Sequence, residues 1–304
     1  MSHFAVLCPG QGGQSPAMFD LPLAHARGRA VLDAFGAAAG IDLVARARAG
    51  DRLFDNAFAQ PALVAAALAT WAVLEPLLPE PRLFAGYSVG ELSAWGCAGA
   101  WSVDDCAQVA TMRAREMDRS TPPGCAMLAV RGLREPEVAT FADGLPLAIV
   151  SGADHVVLAG DAVRLAAVAE RLVAHGATTR ILDVRVPSHT PVLHGASEEF
   201  RSALAALPPR DVTVPVLRGV DGQPCSHGSE ATSALSDAIA HTVRWDRCLE
   251  RLAESGVNVL LELGPGSALA RIASESDGAF SARSVSDFRS LDGVASWLRR
   301  QLDA

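Results

Sequence analysis

Short apolar runs that end in glycine-rich turns and lead into alanine-rich helical stretches restrict the fold of this chain more than any other feature. Examples are HFAVLCPG at 3–10, RLFAGYS at 82–88 followed by GELSAWGCAGA, and NVLLELGPGSALARIAS at 258–274. Strands that alternate with helices in this way pair in parallel, and the helices cover the sheet. The chain has 304 residues, 50% of them hydrophobic, which is enough to bury a large core. The sequence therefore predicts an α/β fold built on a parallel sheet.

The middle of the chain has a different pattern. GCAMLAVRGL, PLAIVSGADHVVLAGD and TRILDVRVPSH are predicted to be strands, and AVRLAAVAERLVAHG is predicted to be a helix. This order is typical of a split βαβ unit. We therefore expect a small domain at 124–190, inserted into a large domain formed by 1–123 and 191–304.

Composition argues against several functional classes. The net charge of −8 argues against nonspecific nucleic-acid binding. The 6 cysteines are scattered and form no CxxC pair, so we predict neither a zinc site nor a redox motif. The first residues lack the basic segment of a signal peptide, and no stretch is predicted to be long and apolar enough to span a bilayer. We expect a cytoplasmic protein without a metal and without a nucleic-acid or membrane partner.

Ser88 lies in GYSVG, a G-x-S-x-G pattern between a predicted strand and a predicted helix. A nucleophile elbow needs glycine at these two positions because its turn is too tight for side chains. The serine would lie at a helix N-terminus, where free N–H groups favour developing negative charge. The N–H of Val89 can then act as an oxyanion donor. The alternative is an ordinary turn that needs glycines.

A serine nucleophile needs a base, and His189 is the main candidate. It comes at the end of the predicted strand TRILDVRVPSH, two residues after Pro187, which ends the strand. A histidine just past a strand end, at the junction of the two predicted domains, is well placed to face a cleft. His194 is the rival candidate, and a loop histidine without a catalytic role is the alternative.

Arg113 lies on the apolar face of a predicted helix at 103–119. That inward stripe is formed by Val103, Cys106, Ala110 and Met117. A buried guanidinium is costly unless it is paired, and its planar fork fits a carboxylate. The position therefore indicates either an internal ion pair or a substrate that carries a free carboxylate.

Two further glycine-rich turns follow predicted strands. In CPGQGGQ at 8–14 the glycines allow close backbone approach, and the N–H of Gln11 is a candidate second oxyanion donor. LGPGSA at 263–268 is a similar turn. Neither matches a dinucleotide or P-loop fingerprint, so no nucleotide-phosphate site is predicted.

Taken together, these segments resemble the acyl-CoA:acyl-carrier-protein transacylase family, in particular its malonyl transferases. The matching segments are PGQGGQ near the start, QPAL at 60–63, GYSVGE at 86–91, MRAREM at 112–117, VPSH at 186–189, VRW at 243–245 and ELGPG at 262–266. The resemblance implies a large α/β-hydrolase-like domain with an inserted ferredoxin-like domain.

The resemblance also implies a reaction with malonyl-CoA as substrate, no bound cofactor, and the thiol of an acyl carrier protein as acceptor. It makes Ser88 the acylated nucleophile and His189 its base. Arg113 would bind the malonyl carboxylate. The amides of Gln11 and Val89 would form the oxyanion hole of a ping-pong mechanism.

Three further positions follow from the resemblance. Gln60 would line the pocket, and a main-chain carbonyl around Arg244 would orient the histidine. Tyr87 stands where the family usually has histidine, and in this the chain looks most like the transacylase subunit of malonate decarboxylase, which serves a dedicated carrier subunit. A malonyl transferase of fatty-acid or polyketide synthesis is the alternative. A serine hydrolase and a noncatalytic interaction subunit are the other rivals.

Overall fold

The computed structural model describes residues 3–276 and 279–303. Its strands are β1 His3–Cys8, β2 Leu83–Gly86, β3 Cys125–Arg131, β4 Leu147–Gly152, β5 His155–Asp161, β6 Thr178–Ile181, β7 Val216–Leu217, β8 Pro224–Cys225, β9 Val243–Arg244, β10 Val257–Glu262 and β11 Ser281–Ser284. Its helices are α1 Asp20–Leu23, α2 Ala26–Ala39, α3 Leu43–Ala49, α4 Asn56–Leu74, α5 Gly90–Cys97, α6 Val103–Arg119, α7 Glu135–Phe141, α8 Ala162–Ala174, α9 His194–Leu204, α10 Gly228–Ala240, α11 Trp245–Glu254, α12 Ala268–Ser274 and α13 Leu291–Leu302.

The larger sheet has the strand order β11-β10-β1-β2-β7-β8 across the described residues. Its neighbouring strands are parallel except for β8, which runs antiparallel to β7 at one edge. In the central strand, Phe4 and Val6 pack into one core, and Ala5 and Leu7 pack into another. Successive side chains of a strand point to opposite faces, so β1 is buried on both sides. The predicted α/β class with a parallel sheet is confirmed.

The smaller sheet has the order β6-β3-β5-β4-β9 in the same part of the chain. Strands β3 to β6 pair antiparallel and alternate with α7 and α8 in the order βαββαβ, which is ferredoxin-like. The sequence analysis did not predict β9, which lies outside 124–190 and pairs parallel with β4. A strand of two residues has no periodicity that could reveal it. The proposed limits of the two domains stay a prediction.

The two sheets share a core. On the smaller sheet, Leu128 and Val130 pack against α8, whereas Met127 and Ile149 pack in the cluster that contains Leu7 of the larger sheet. Strands β10, β1 and β2 are parallel neighbours, so the turns that follow them meet at one edge of the larger sheet.

Helix α4 corrects one expectation. The segment Asn56–Leu77 is long and apolar enough, by length and composition, to cross a membrane, so the prediction that no stretch would qualify is wrong. However, 89% of its most apolar window is buried inside the protein, where α4 packs against α2 and α6. It is therefore the central helix of the core.

Candidate active site

Ser88 lies in the turn between β2 and α5, with φ of 59°. This left-handed conformation is strained for a residue with a side chain. The flanking glycines permit it. A Cβ on Gly86 would collide with the backbone of Gly90, and one on Gly90 would collide with the carbonyl oxygen of Cys8. The turn therefore has the geometry of a nucleophile elbow packed against the end of β1.

His189 contacts the serine directly, with 2.8 Å between its Nε2 and the Oγ of Ser88. Its Nδ1 bonds to the carbonyl oxygen of Ala238, and its backbone N–H donates to the carbonyl oxygen of Ile239 at 2.8 Å. Both carbonyls belong to the last turn of α10, where a helix has no N–H groups of its own to offer them. A carbonyl can only accept, so Nδ1 carries the hydrogen and Nε2 is free to accept the serine proton.

This assignment corrects the predicted role of the chain around Arg244. The carbonyl that orients the histidine comes from Ala238, because α10 ends beside position 189. The Arg244 side chain instead pairs with Asp246, and with Glu135 at 3.2 Å. The rival base His194 is mostly exposed and lies 3.4 Å from the Glu198 carboxylate.

Two amides predicted for the oxyanion hole lie beside the elbow. Val89 is the N-cap of α5, where helical N–H groups lack an intrahelical acceptor. The loop that carries Gln11 packs on the other side. A Cβ on Gly10 would lie 2.7 Å from the carbonyl oxygen of Tyr87 and 3.4 Å from Cβ of Ser88. The structure therefore places Val89 next to the serine and the loop that carries Gln11 against the elbow, where Gln11 and Ser88 line the same cavity.

A cavity of about 310 Å³ opens at this point. Ser88, His189 and the turn at 9–13 line it, together with the turn at 265–268. The smaller sheet supplies the opposite wall. Its contributions are Met127, Ala129, Ile149, His155 and Val157. A larger cleft of about 1090 Å³ adjoins it and shares Gln11, Leu182 and Val184. The catalytic candidates are therefore reached through a space between the two sheets.

Arg113 is buried, with 1% of its surface exposed. Its Nη1 donates to Oε1 of Gln60 at 2.6 Å, and its Nη2 has no hydrogen-bond partner in the described part of the chain. Within the same residues the guanidinium forms no ion pair, so the closed internal pair considered from the sequence is not what the structure contains. One nitrogen of a buried cation is therefore left without a partner, and Arg113 is not among the residues that line the two cavities described above.

Burial, together with the charges around Arg113, shifts the pKa of three groups. Burial lowers the pKa of Arg113 to about 10, an effect that the charge of Glu91 opposes. Burial raises the pKa of the Glu91 carboxyl to about 8, although the Gly219 backbone and the Arg113 charge lower it. Burial, and then the Arg113 charge, lower the pKa of His189 to about 3. The histidine is therefore neutral at physiological pH, as a general base must be.

Contrary to the prediction, Gln60 does not line the cavity. It is buried, with 2% of its surface exposed, and its Oε1 accepts from Arg113 in the core. Its Nε2 donates to Oδ1 of Asn56 at 2.6 Å. The sequence analysis missed Asn56, and its position at the first residue of α4, one helical turn (four residues) before the Gln60 of QPAL, was the available signal.

Tyr87 lines the cavity beside Ser88. Its hydroxyl lies 2.9 Å from Oγ of Ser151 on β4, and its ring packs edge-on against Trp245. Burial raises the pKa of Tyr87 to about 12, against the effect of the Ser151 hydrogen bond.

As for metals, no cluster of three or more His, Cys, Asp or Glu side chains suited to an ion occurs within 3–276 and 279–303.

A strained serine bonded to a neutral, carbonyl-oriented histidine defines a serine enzyme that works through an acyl-enzyme, as hydrolases and acyltransferases both do. The sequence separates the two. It matches the acyl transferase domain family over residues 6–301, and the chain belongs to that family.

Relatives from curated sequences span almost the whole chain. Malonyl CoA-acyl carrier protein transacylase of Haemophilus influenzae is 31% identical over 314 residues, covering 98% of this chain and 100% of the relative. The protein of the same name from Mycobacterium tuberculosis is 33% identical over 304 residues, covering 96% and 99%.

Solved structures agree. Malonyl-CoA:acyl carrier protein transacylase from Xanthomonas oryzae superposes with a TM-score of 0.92 at 28% identity, covering 98% of both chains. A malonyl-transacylase in complex with its type II polyketide acyl-carrier protein gives 0.92 at 28% identity, covering 97% of this chain and 99% of that one. The resemblance to the transacylase family is confirmed at this level.

Proposed function

We propose that the protein transfers a malonyl group from malonyl-CoA to the thiol of an acyl carrier protein, through an acyl-enzyme on Ser88. The observation that carries the proposal is the contact between Ser88 and the neutral His189, beside a buried Arg113 whose Nη2 is unpaired. The names of the relatives given above support the same reaction.

The first half-reaction acylates the serine. Nε2 of His189 takes the hydroxyl proton while Oγ of Ser88 attacks the thioester carbonyl. The amides of Gln11 and Val89 stabilise the oxyanion. The tetrahedral intermediate then expels the CoA sulfur, which receives the proton from His189. Arg113 holds the carboxylate of the acyl group through a charge-assisted hydrogen bond.

The second half-reaction reverses these steps with a new thiol. The acceptor sulfur gives its proton to His189 and attacks the serine ester. The oxyanion forms again at the same two amides. When the intermediate collapses, Oγ of Ser88 leaves and regains the proton. The cavity therefore admits the donor and the acceptor in turn, as ping-pong kinetics require.

The carrier is the finer part of the proposal. The relatives favour an acyl carrier protein of fatty-acid or polyketide synthesis, one of them being bound to a polyketide carrier. Tyr87, in place of the usual histidine, is the observation that favours the malonate decarboxylase carrier as a second candidate. Transfer assays with each purified carrier, at equal concentrations, discriminate the two. The predicted cytoplasmic location stays a prediction.

Intact-protein mass spectrometry after incubation with malonyl-CoA tests the reaction. We expect one malonyl adduct per chain on the wild type and none on Ser88→Ala, with a rate loss of more than about 10⁴-fold. A wild type without the adduct contradicts the proposal and favours a noncatalytic subunit. Steady CoA release over many turnovers without an acceptor, in place of one burst, favours a hydrolase.

A further inference from the structure

The Asn56 side chain lies between two groups that the proposed reaction uses separately. Its Oδ1 accepts from Nε2 of Gln11 at 3.0 Å and from Nε2 of Gln60 at 2.6 Å. Its Nδ2 donates to the carbonyl oxygen of Ala114 at 3.1 Å and to Oδ1 of Asp118 at 3.0 Å. One carboxamide offers two acceptor sites and two donors, so all four are in use.

The orientation of each amide in this chain of bonds is determined by its neighbour. Arginine can only donate, so Gln60 must turn Oε1 towards Arg113 and Nε2 towards Asn56. Asn56 must then present Oδ1 to that donor. Its Nδ2 consequently faces Ala114, whose carbonyl can only accept. The remaining acceptor capacity of Oδ1 is directed at Gln11. Reversing Gln60 or Asn56 would set donor against donor, and reversing Gln11 would set acceptor against acceptor.

We propose that Asn56 is a positioning residue that fixes the distance between the oxyanion loop and the carboxylate-binding arginine. One end of the hydrogen-bond chain is the side chain of Gln11, whose own main-chain N–H is the proposed oxyanion donor. The other end is Arg113, which Asn56 also reaches through the neighbouring Ala114 on α6.

The distance between the oxyanion loop and Arg113 matters because of the geometry of the proposed substrate. A malonyl thioester carries its carboxylate two bonds away from the carbonyl that becomes the oxyanion. Both charges must be met at once, and a displaced donor loses much of its catalytic effect. Acetyl-CoA has the reacting carbonyl but no carboxylate, so it reports on the oxyanion loop alone. The inference rests on the proposed function.

Three variants separate the two ends of this hydrogen-bond chain. Gln11→Ala keeps the main-chain N–H but frees the loop, and we expect acylation by malonyl-CoA and by acetyl-CoA to slow equally, by about tenfold. Gln60→Ala frees Arg113 and should slow only acylation by malonyl-CoA. Asn56→Ala should slow both, and malonyl-CoA more than acetyl-CoA. Thr121→Val is the matched control, because it removes a hydrogen bond to Met117 at the end of the same α6 and leaves the Asn56 bonds intact.

The measurement is the single-turnover rate of Ser88 acylation with each thioester, on one preparation of each variant. The ratio of the two rates does not depend on the fraction of folded protein, so partial unfolding does not obscure the result. In the double variant, Gln11→Ala should add little to Asn56→Ala, because the bond between the two side chains is already lost. Gln60→Ala should add a further loss, because it also removes the bond to Arg113.

An Asn56→Ala protein with both rates within twofold of the wild type would overturn the inference. So would an unchanged malonyl-to-acetyl ratio, or losses that multiply fully when Gln11→Ala is combined with Asn56→Ala. Each of these results leaves the proposed function standing if the wild type is acylated. A wild type that accepts no acyl group from either thioester refutes the proposed function and this inference with it.

Discussion

The nucleophile half and the arginine half of the candidate site are built in different ways. Main-chain groups hold the nucleophile half: the Ala238 and Ile239 carbonyls bind His189, and close backbone contacts hold the turn at Ser88. Side chains hold the arginine half, through Gln60 and Asn56. The carbonyl contacts of His189 do not depend on the side chains at 238 and 239, and the turn at Ser88 depends only on its glycines, whereas a side-chain network changes with each substitution. We therefore expect single side-chain substitutions to change the arginine half more than the carbonyl contacts of His189.

Gly90→Ala breaks the backbone-held half, and we expect the largest loss of stability from it. The new Cβ would meet the carbonyl oxygen of Cys8 at the end of the central strand, which has no room to move. Chemical denaturation should show a loss of about 3 kcal/mol or more.

Gly195→Ala is the control for that experiment, because a Cβ there meets no atom within 4 Å. Inside α9 the substitution should raise the free energy of unfolding by up to about 1 kcal/mol through helix propensity. Equal effects of the two substitutions would contradict the close backbone packing at the elbow.

Arg113→Ala breaks the side-chain-held half without touching the elbow. We expect acylation by malonyl-CoA to fall roughly thirty- to hundredfold relative to acylation by acetyl-CoA, since a charge-assisted hydrogen bond to the carboxylate is lost. Competition between the two thioesters, read by intact mass, measures the preference. Arg115→Ala is the control, since that side chain is 61% exposed and pairs with Glu116. An unchanged preference would return Arg113 to a structural role.

Glu91→Gln tests the surroundings of Arg113 through the pH dependence of stability. The folded-state pKa of Glu91 is raised from 4.5 to about 8, so the folded protein keeps a proton that the unfolded chain releases. This contribution to stability is complete below pH 4.5 and is lost as pH rises through 8. The stability of the wild type relative to the glutamine variant should therefore fall by roughly 2–3 kcal/mol from pH 5 to pH 7. Urea titrations at both pH values measure it, and a pH-independent difference would indicate an ionised carboxylate paired with Arg113.

The same contrast explains what the sequence could predict. The elbow at Ser88 and the inward position of Arg113 depend on spacing within a few residues, so both could be predicted from the sequence. The contact of His189 with Ala238 depends on where α10 ends relative to a distant loop. The bonds of Asn56 join positions up to 62 residues apart. No local pattern records such distances, so the partners of the catalytic candidates required the structure.

Tyr87→Phe tests the place where the backbone-held half meets the smaller sheet. The hydroxyl of Tyr87 bonds to Oγ of Ser151, which is fully buried on β4, while the ring keeps its edge contact with Trp245. Phenylalanine preserves the ring and leaves the Ser151 hydroxyl without that partner, so we expect a loss of about 1 kcal/mol. Ser151→Ala should cost a similar amount, and the double variant no more than the larger single one.

The kinetic consequence of Tyr87→Phe separates the two walls of the cavity. Ser88 is positioned by its main chain, whereas Tyr87 lines the space that the acceptor thiol must enter. We therefore expect KM for the carrier to rise more than the rate of serine acylation falls. Steady-state kinetics with varied carrier, set beside single-turnover acylation, measure both quantities. If acylation is the step that suffers more, then the hydroxyl bond to Ser151 positions the nucleophile itself, and the elbow depends on a side chain after all.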